Sequence, residues 1–101
     1  MAFDMYLEND KEFIDHQEEY IFYLVNEDND YPKLNWLWEN FYDGPRIPPE
    51  FSSEIFKELT LLRSSILDAE NNKGLISVID RIVPFFKKAH DLNRVIRCVS
   101  D

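Results

Sequence analysis

The sequence predicts an α+β fold that is mostly helical, with about four helices packed with a small sheet formed by N-terminal and C-terminal strands. Residues 2–7 alternate between apolar and polar side chains, which is the period of a half-buried strand. Four later segments place large side chains three or four positions apart, which is the period of a helix packed along one face. Residues 94–100 form a short segment rich in β-branched side chains, so we expect a final strand that pairs with the first.

The first helix is expected over residues 10–26. Asn9 followed by Glu12 has the spacing of a capping box at a helix start. The acidic run "EDND" then ends the helix in a turn-rich loop. The core-facing stripe of this helix would consist of Phe13, Gln17, Tyr20, Ile21 and Leu24.

Prolines and glycines place the other three helices. Pro32 opens a short helix over residues 33–42, and "DGPRIPP" forms a rigid connector after it. We expect a third helix over residues 49–68 and a fourth over residues 75–90. Pro84 lies inside the fourth helix, on the side opposite its apolar stripe, so we expect a kink or a short break there.

The composition indicates one domain spanning residues 1–101. A chain of 101 residues that is 45% hydrophobic has room for one core. A single cysteine excludes an internal disulfide. No basic and apolar leader is present, and no apolar run approaches the roughly 20 residues that a membrane span needs. We therefore expect a cytoplasmic protein that does not enter the membrane.

The excess negative charge belongs to the N-terminal half. Residues 1–50 hold 13 acidic and 3 basic side chains, whereas residues 51–101 hold 7 acidic and 8 basic ones. Such a field repels nucleic acid, whose binding depends on Lys and Arg at phosphates. It attracts a basic protein and speeds the encounter. Acidity that serves solubility alone is the alternative.

Few residues suggest catalysis or metal binding. Cys98 lies in the expected final strand, where a buried cysteine is usually an inert small side chain. His16 has Glu12 and Glu19 at helical spacing, a pattern that is common by chance and fits a solvated histidine better than a metal ligand. With two glycines the chain has no phosphate-binding loop. We expect no catalytic, metal or cofactor site.

Five of the twelve residues from Tyr31 to Tyr42, counting both ends, are aromatic. In a regular helix, Leu34, Leu37, Trp38 and Phe41 would share the buried stripe, with Tyr42 at its edge. Trp36 would then lie on the opposite, acidic side, as Phe22 would on the first helix. Another element covers these two rings, or the second segment is not a regular helix, or the rings anchor a protein partner with carboxylates around them.

The last alternative defines a candidate partner-binding site, which combines the outward aromatics with the neighbouring acids. Its residues are Asp15, Glu18, Glu19, Phe22, Asp28, Asp30, Tyr31, Trp36, Glu39 and Asp43.

Two stretches, "LNWLWENFYDGPRI" and "PFFKKAHDLNRVIRCVSD", together with the size and acidity of the chain, carry a likeness to a known class. The chain resembles the small acidic bacterial immunity proteins of polymorphic and contact-dependent toxin systems. The resemblance implies tight binding to one cognate toxin domain, often a nuclease, whose active site or substrate groove is blocked. An acidic adaptor, a subunit of a protein assembly, and an acidic mimic of DNA are the alternatives.

Overall fold

A computed structural model describes residues 2–66 and 70–100. Its sheet has four antiparallel strands: β1 (Ala2–Leu7), β2 (Asp10–Asp15), β3 (Arg46–Ile47) and β4 (Ile96–Ser100). They lie in the order β2-β1-β4-β3. The expected pairing of the N-terminal and C-terminal strands is confirmed, with Phe3 opposite Ser100 and Tyr6 opposite Arg97.

Four α-helices lie within the described residues: α1 (Tyr20–Leu24), α2 (Pro32–Glu39), α3 (Pro49–Ser64) and α4 (Lys73–Asp91). The α+β class is thereby confirmed. The start of α3 at Pro49 is as expected, and residues 67–69, at the end of that predicted helix, lie outside the described residues. Helix α4 runs through Pro84 without a break.

The predicted helix over residues 10–26 is wrong. Residues 10–15 form β2, which returns along β1 after a turn in which Glu8 has a φ of 52°. A 3₁₀ helix, His16–Glu18, and the five-residue α1 then complete the segment. The capping-box spacing of Asn9 and Glu12 therefore does not begin a helix.

Strand β2 was not predicted because two of the three residues on its inward side, Asp10 and Glu12, are charged, and only Ile14 is apolar. Asp10 and Glu12 lie opposite Leu7 and Met5, on the face that packs on the helices. The Arg81 Nε lies 3.0 Å from the Glu12 carboxylate, and Lys88 pairs with Asp10. Both bases come from α4, so the charges that make this strand acceptable are remote in sequence.

Arg81 also closes the outer edge of β2. Its Nη2 donates to the Phe13 carbonyl at 2.7 Å and to the Glu18 carboxylate at 2.7 Å. Its Cζ lies 4.8 Å from the Phe13 ring centroid. An unpaired strand edge is a template for another strand, and here Arg81 occupies one of its backbone acceptors, the Phe13 carbonyl.

One face of the sheet forms the core with the helices. The alternate residues Phe3, Met5 and Leu7 of β1 are buried, as are Ile96 and Cys98 of β4. The opposite face carries Asp4 and Tyr6 of β1 and no helix covers it among the described elements, since its flanking residues on β2 and β4 are exposed. In the part of the chain that the structure describes, no helix is long and apolar enough to cross a bilayer.

Candidate protein-binding site

Three aromatic side chains meet at the surface where α1 and α2 adjoin the 3₁₀ helix Phe41–Asp43. The Trp38 ring centroid lies 5.3 Å from that of Tyr23 and 6.4 Å from that of Tyr42. Tyr23 is 63% exposed and Tyr42 is 57% exposed, while Trp38 is half-buried. We call Tyr23, Trp38 and Tyr42 the aromatic cluster.

The buried side of the aromatic cluster is held by the core. The Trp38 ring stacks on Phe22 at a centroid distance of 5.2 Å and lies 5.2 Å from Phe41. Both phenylalanines are only 2% exposed. Because Trp38 already packs on two core rings, it has little side-chain freedom left to lose when a partner binds.

A buried carboxylate fixes one edge of the cluster. The Tyr42 hydroxyl donates to Glu19 Oε1 at 2.8 Å, and His16 Nδ1 lies 2.7 Å from Glu19 Oε2. Glu19 is 5% exposed, so both of its oxygens are occupied inside the fold. The hydrogen bond to Glu19, with desolvation, raises the pKa of Tyr42 above its ordinary value. Tyr42 is therefore a neutral donor at physiological pH.

Helix α2 is positioned by a residue of α3. The Glu58 carboxylate accepts the backbone N–H of Lys33 at 3.0 Å and that of Leu34 at 2.9 Å, at the helix start where such groups lack partners. Burial raises the pKa of Glu58, which is 7% exposed. Glu58 thus replaces a local N-cap and joins α2, with Trp38 on it, to α3.

The 3₁₀ helix that carries Tyr42 ends at a left-handed conformation that favours glycine. Gly44 has a φ of 60°, and a Cβ added there would meet the Cys98 carbonyl at 3.3 Å. The left-handed region is costly for residues with a Cβ. The turn at Gly44 therefore fixes the path of Tyr42 and Asp43 against β4.

Unpaired carboxylates surround the aromatic cluster in sequence. Within the described residues, these exposed side chains have no ion-pair partner within 4.0 Å, and we call them the acidic rim: Glu27, Asp28, Asp30, Glu39 and Asp43. Glu39 and Asp43 directly follow Trp38 and Tyr42. Glu27, Asp28 and Glu39 line a polar hollow of about 270 Å³.

Four of the five acids of the β1–β2 hairpin are paired with bases, and the fifth, Asp15, has no ion pair among the described residues. Glu8 pairs with Arg94 at 2.7 Å and Asp4 lies 3.8 Å from Lys11. The ion pairs of Asp10 and Glu12 with α4 complete this set. Among the described residues of the N-terminal half, the acids without an ion pair are therefore those of the acidic rim together with Asp15 and Glu50. Glu39 joins the two parts of the site, because it follows Trp38 in sequence and lines the same hollow as Glu27 and Asp28.

Comparison with family models, with curated proteins and with solved structures finds no match. The candidate site therefore rests on the geometry and charge of this chain alone.

The two outward aromatics expected from helical spacing are covered. Phe22 is buried beneath Trp38, and the expectation that it faces outward is wrong because the helix that set its phase does not exist. Trp36 is half-buried and meets Phe51 of α3 at 4.9 Å, edge to face. Helix α3 is therefore the element that covers Trp36. Tyr31, a third ring of the predicted site, is 7% exposed.

The predicted acids divide into two groups. Glu18 binds Arg81, and this hydrogen bond lowers the pKa of Glu18. Glu19 is buried and Asp15 is exposed, with its backbone N–H donating to Glu18 Oε1 at 3.0 Å. These three belong to the connection between β2 and α1. The other four predicted acids, which all lie in the acidic rim, are Asp28, Asp30, Glu39 and Asp43.

Tyr23 and Tyr42 were not among the predicted site residues, and Trp38 was expected in the core. A short helix beginning at Tyr20 would have found Tyr23, because burying Ile21, Phe22 and Val25 turns Tyr23 and Leu24 outward. Trp38 does pack on the core, yet one part of its ring remains at the surface.

The described residues offer little for nucleophilic or metal chemistry. Burial raises the pKa of the Cys98 thiol to about 12, so the reactive thiolate is scarce. Across residues 2–66 and 70–100, no three His, Cys, Asp or Glu side chains form a group that could hold a metal ion.

Proposed function

We propose that this chain is a protein-binding inhibitor, an immunity protein that binds a cognate basic toxin and blocks its active site or substrate groove. The observation that carries the proposal is the aromatic cluster beside the acidic rim. Tyr and Trp side chains bring a large contact area with few rotatable bonds, and they dominate the binding energy of many interfaces. Carboxylates around such a centre pair with Lys and Arg of a basic partner and accelerate the encounter.

The arrangement favours an anchored interface over mimicry of DNA by charge alone. A mimic of DNA would depend on the carboxylates, and its binding would weaken steeply with salt. The aromatic cluster adds apolar contacts that salt does not screen. Tyr23, Trp38 and Tyr42 would form the desolvated centre of the interface, with the acidic rim at its margin.

The proposal is tested by growth and binding with the basic toxin domain expected from a neighbouring reading frame. The variant is Tyr23→Ala with Trp38→Ala. The control is Leu92→Ala, which removes an apolar side chain that is 47% exposed at the end of α4. We expect the wild type and the control to restore growth on co-expression, and the double variant to fail while it remains folded by circular dichroism.

Three results would count against this function. Growth restored equally by the double variant would remove the aromatic cluster from the interface. Failure of the wild type to protect, with a host complex recovered by pull-down, would favour an adaptor or an assembly subunit. Binding that is lost in salt but not in the double variant would favour the mimic of DNA.

A further inference from the structure

Three cationic side chains and one tyrosine form a row across the open face of the sheet. The strand register places Lys11 of β2 opposite Tyr6 of β1, Tyr6 opposite Arg97 of β4, and Arg97 opposite Arg46 of β3. The four residues therefore lie side by side across all four strands. We call Lys11, Tyr6, Arg97 and Arg46 the cationic row.

Two arginines in this row are unneutralised. The chain has five arginines, and Arg63, Arg81 and Arg94 each pair with a carboxylate. Among the residues that the structure describes, neither Arg46 nor Arg97 has a carboxylate within 4.0 Å. They nevertheless face each other directly across two strands. Like charges in that position destabilise a sheet, so their placement in a chain of net charge −9 calls for an anionic ligand.

The surroundings of the cationic row are partly apolar. In the next register position, Phe13 and Val99 lie on either side of Asp4. Phe13 is 37% exposed and Val99 is 39% exposed. The face thus presents guanidinium groups beside apolar surface, and its complement is a segment that carries both carboxylates and apolar side chains.

We propose that the open face of the sheet is a second docking surface, which binds an acidic and partly apolar protein segment through Arg46 and Arg97. Four strands at a spacing of about 4.8 Å span roughly 14 Å, the length of about four extended residues. Carboxylates of the segment pair with the two guanidinium groups, and its apolar side chains contact Phe13 and Val99. This surface is separate from the aromatic cluster.

The chemistry of the face favours a protein segment over a nucleic acid. The Tyr6 ring has Lys11 Nζ at 5.4 Å and Arg97 Cζ at 4.9 Å from its centroid, so two side chains compete for the ring surface on which a base would stack. Asp4 lies 3.8 Å from Lys11 and opposes any anion there, so a bound carboxylate is expected at Arg46 and Arg97 and not at Lys11. Only two unpaired cations then remain for a nucleic acid backbone.

The test is fluorescence anisotropy with a labelled peptide of about eight residues in which Glu and Leu alternate. We expect binding at about 50 mM NaCl that weakens at about 150 mM. The variant Arg46→Gln with Arg97→Gln should weaken binding about tenfold or more. The matched control, Lys57→Gln with Lys73→Gln, removes two exposed positive charges elsewhere and should leave the affinity unchanged.

A second measurement does not depend on the peptide. Arg46→Gln relieves the repulsion from Arg97, so its thermal midpoint at low salt should exceed that of the wild type, and the gain should shrink as salt is added. Addition of the peptide should raise the midpoint of the wild type and not that of the double arginine variant.

Four outcomes would overturn the proposal. They are equal loss of affinity in both double variants, equal binding of a peptide with Gln in place of Glu, tighter binding of an oligouridine of equal length, and a lower midpoint for Arg46→Gln at low salt. Tyr23→Ala should leave peptide binding unchanged. The two proposed surfaces can therefore fail independently.

Discussion

A single hydroxyl joins an exposed ring to a buried acid at Tyr42. Its hydrogen bond to Glu19 reaches across 23 positions of sequence and leaves the face of the ring in solvent. Trp38 is also held from the core side, in its case by ring packing on Phe22 and Phe41. At this scale the candidate site consists of side chains whose inner parts are committed to the fold and whose outer parts are available to a partner.

Substitutions of Tyr23 and Trp36 should have opposite effects on binding and on stability. Tyr23→Ala should weaken partner binding by more than about 2 kcal/mol and change the free energy of unfolding by less than about 0.5 kcal/mol, because the ring is largely in solvent. Trp36→Ala should lower the free energy of unfolding by about 1–3 kcal/mol, since it removes a half-buried ring from Phe51. Urea unfolding and calorimetric titration measure both.

A larger loss of unfolding free energy in Tyr23→Ala than in Trp36→Ala would show that packing on α3 does not hold Trp36. Equal losses of affinity in the two variants, with both proteins folded, would move the centre of the interface away from the aromatic cluster.

Helix α2 depends on a cap from another element. Glu58 accepts two backbone N–H groups at the start of α2, although it lies on α3, 24 positions from Leu34. Burial is the largest cause that raises the pKa of Glu58 above its ordinary value of 4.5. The folded chain therefore keeps a proton on Glu58 to a higher pH than the unfolded chain does.

The sign of the pH effect follows from that difference. The stability that Glu58 contributes is fully present below its unfolded pKa and falls as the pH rises through its folded pKa. Glu58→Gln cannot titrate, so the free energy of unfolding of the wild type minus that of the variant should fall as the pH rises above 4.5, the ordinary pKa of the carboxyl group. Urea unfolding across this range measures it, and parallel pH curves would contradict the expectation.

Local periodicity predicted the two long helices and the two terminal strands, and it failed on β2 and on the short helix α1. Helices α3 and α4 bury residues such as Ile55, Leu59, Ile79 and Phe86 along one stripe, which is visible in sequence. Strand β2 shows no such pattern, because the charges on its inner side are balanced by α4. The position of Phe22 followed from the wrong helix, and the cover over Trp36 comes from α3. A local pattern contains neither contact.

Across the whole molecule, charge is divided between two surfaces. The acids of the rim have no ion pair among the described residues, whereas Glu8, Asp10 and Glu12 of the hairpin are balanced by bases from the C-terminal half. The open sheet face has the opposite sign at Arg46 and Arg97. The location of the acidic half was predictable from composition, but its partition into balanced and unbalanced acids required the tertiary structure.

Asp28→Lys with Asp30→Lys should slow association with a basic partner and flatten its dependence on salt, because these acids steer the encounter. The control is Glu54→Lys with Glu70→Lys, which makes the same change in net charge at other exposed positions. Stopped-flow association across a salt series measures both. An association rate that is unchanged, or equally reduced in the control, would remove the loop from the encounter surface.

The edge of β2 that Arg81 contacts is synthesised well before Arg81 itself. The β1–β2 hairpin is synthesised about 65 residues before Arg81, and among the described residues Arg81 is the side-chain donor to the Phe13 carbonyl at its outer edge. During this interval the hairpin can accept a strand from another nascent chain. Because Arg81 belongs to α4, we expect the yield of unaggregated protein to depend on how soon α4 folds against β2.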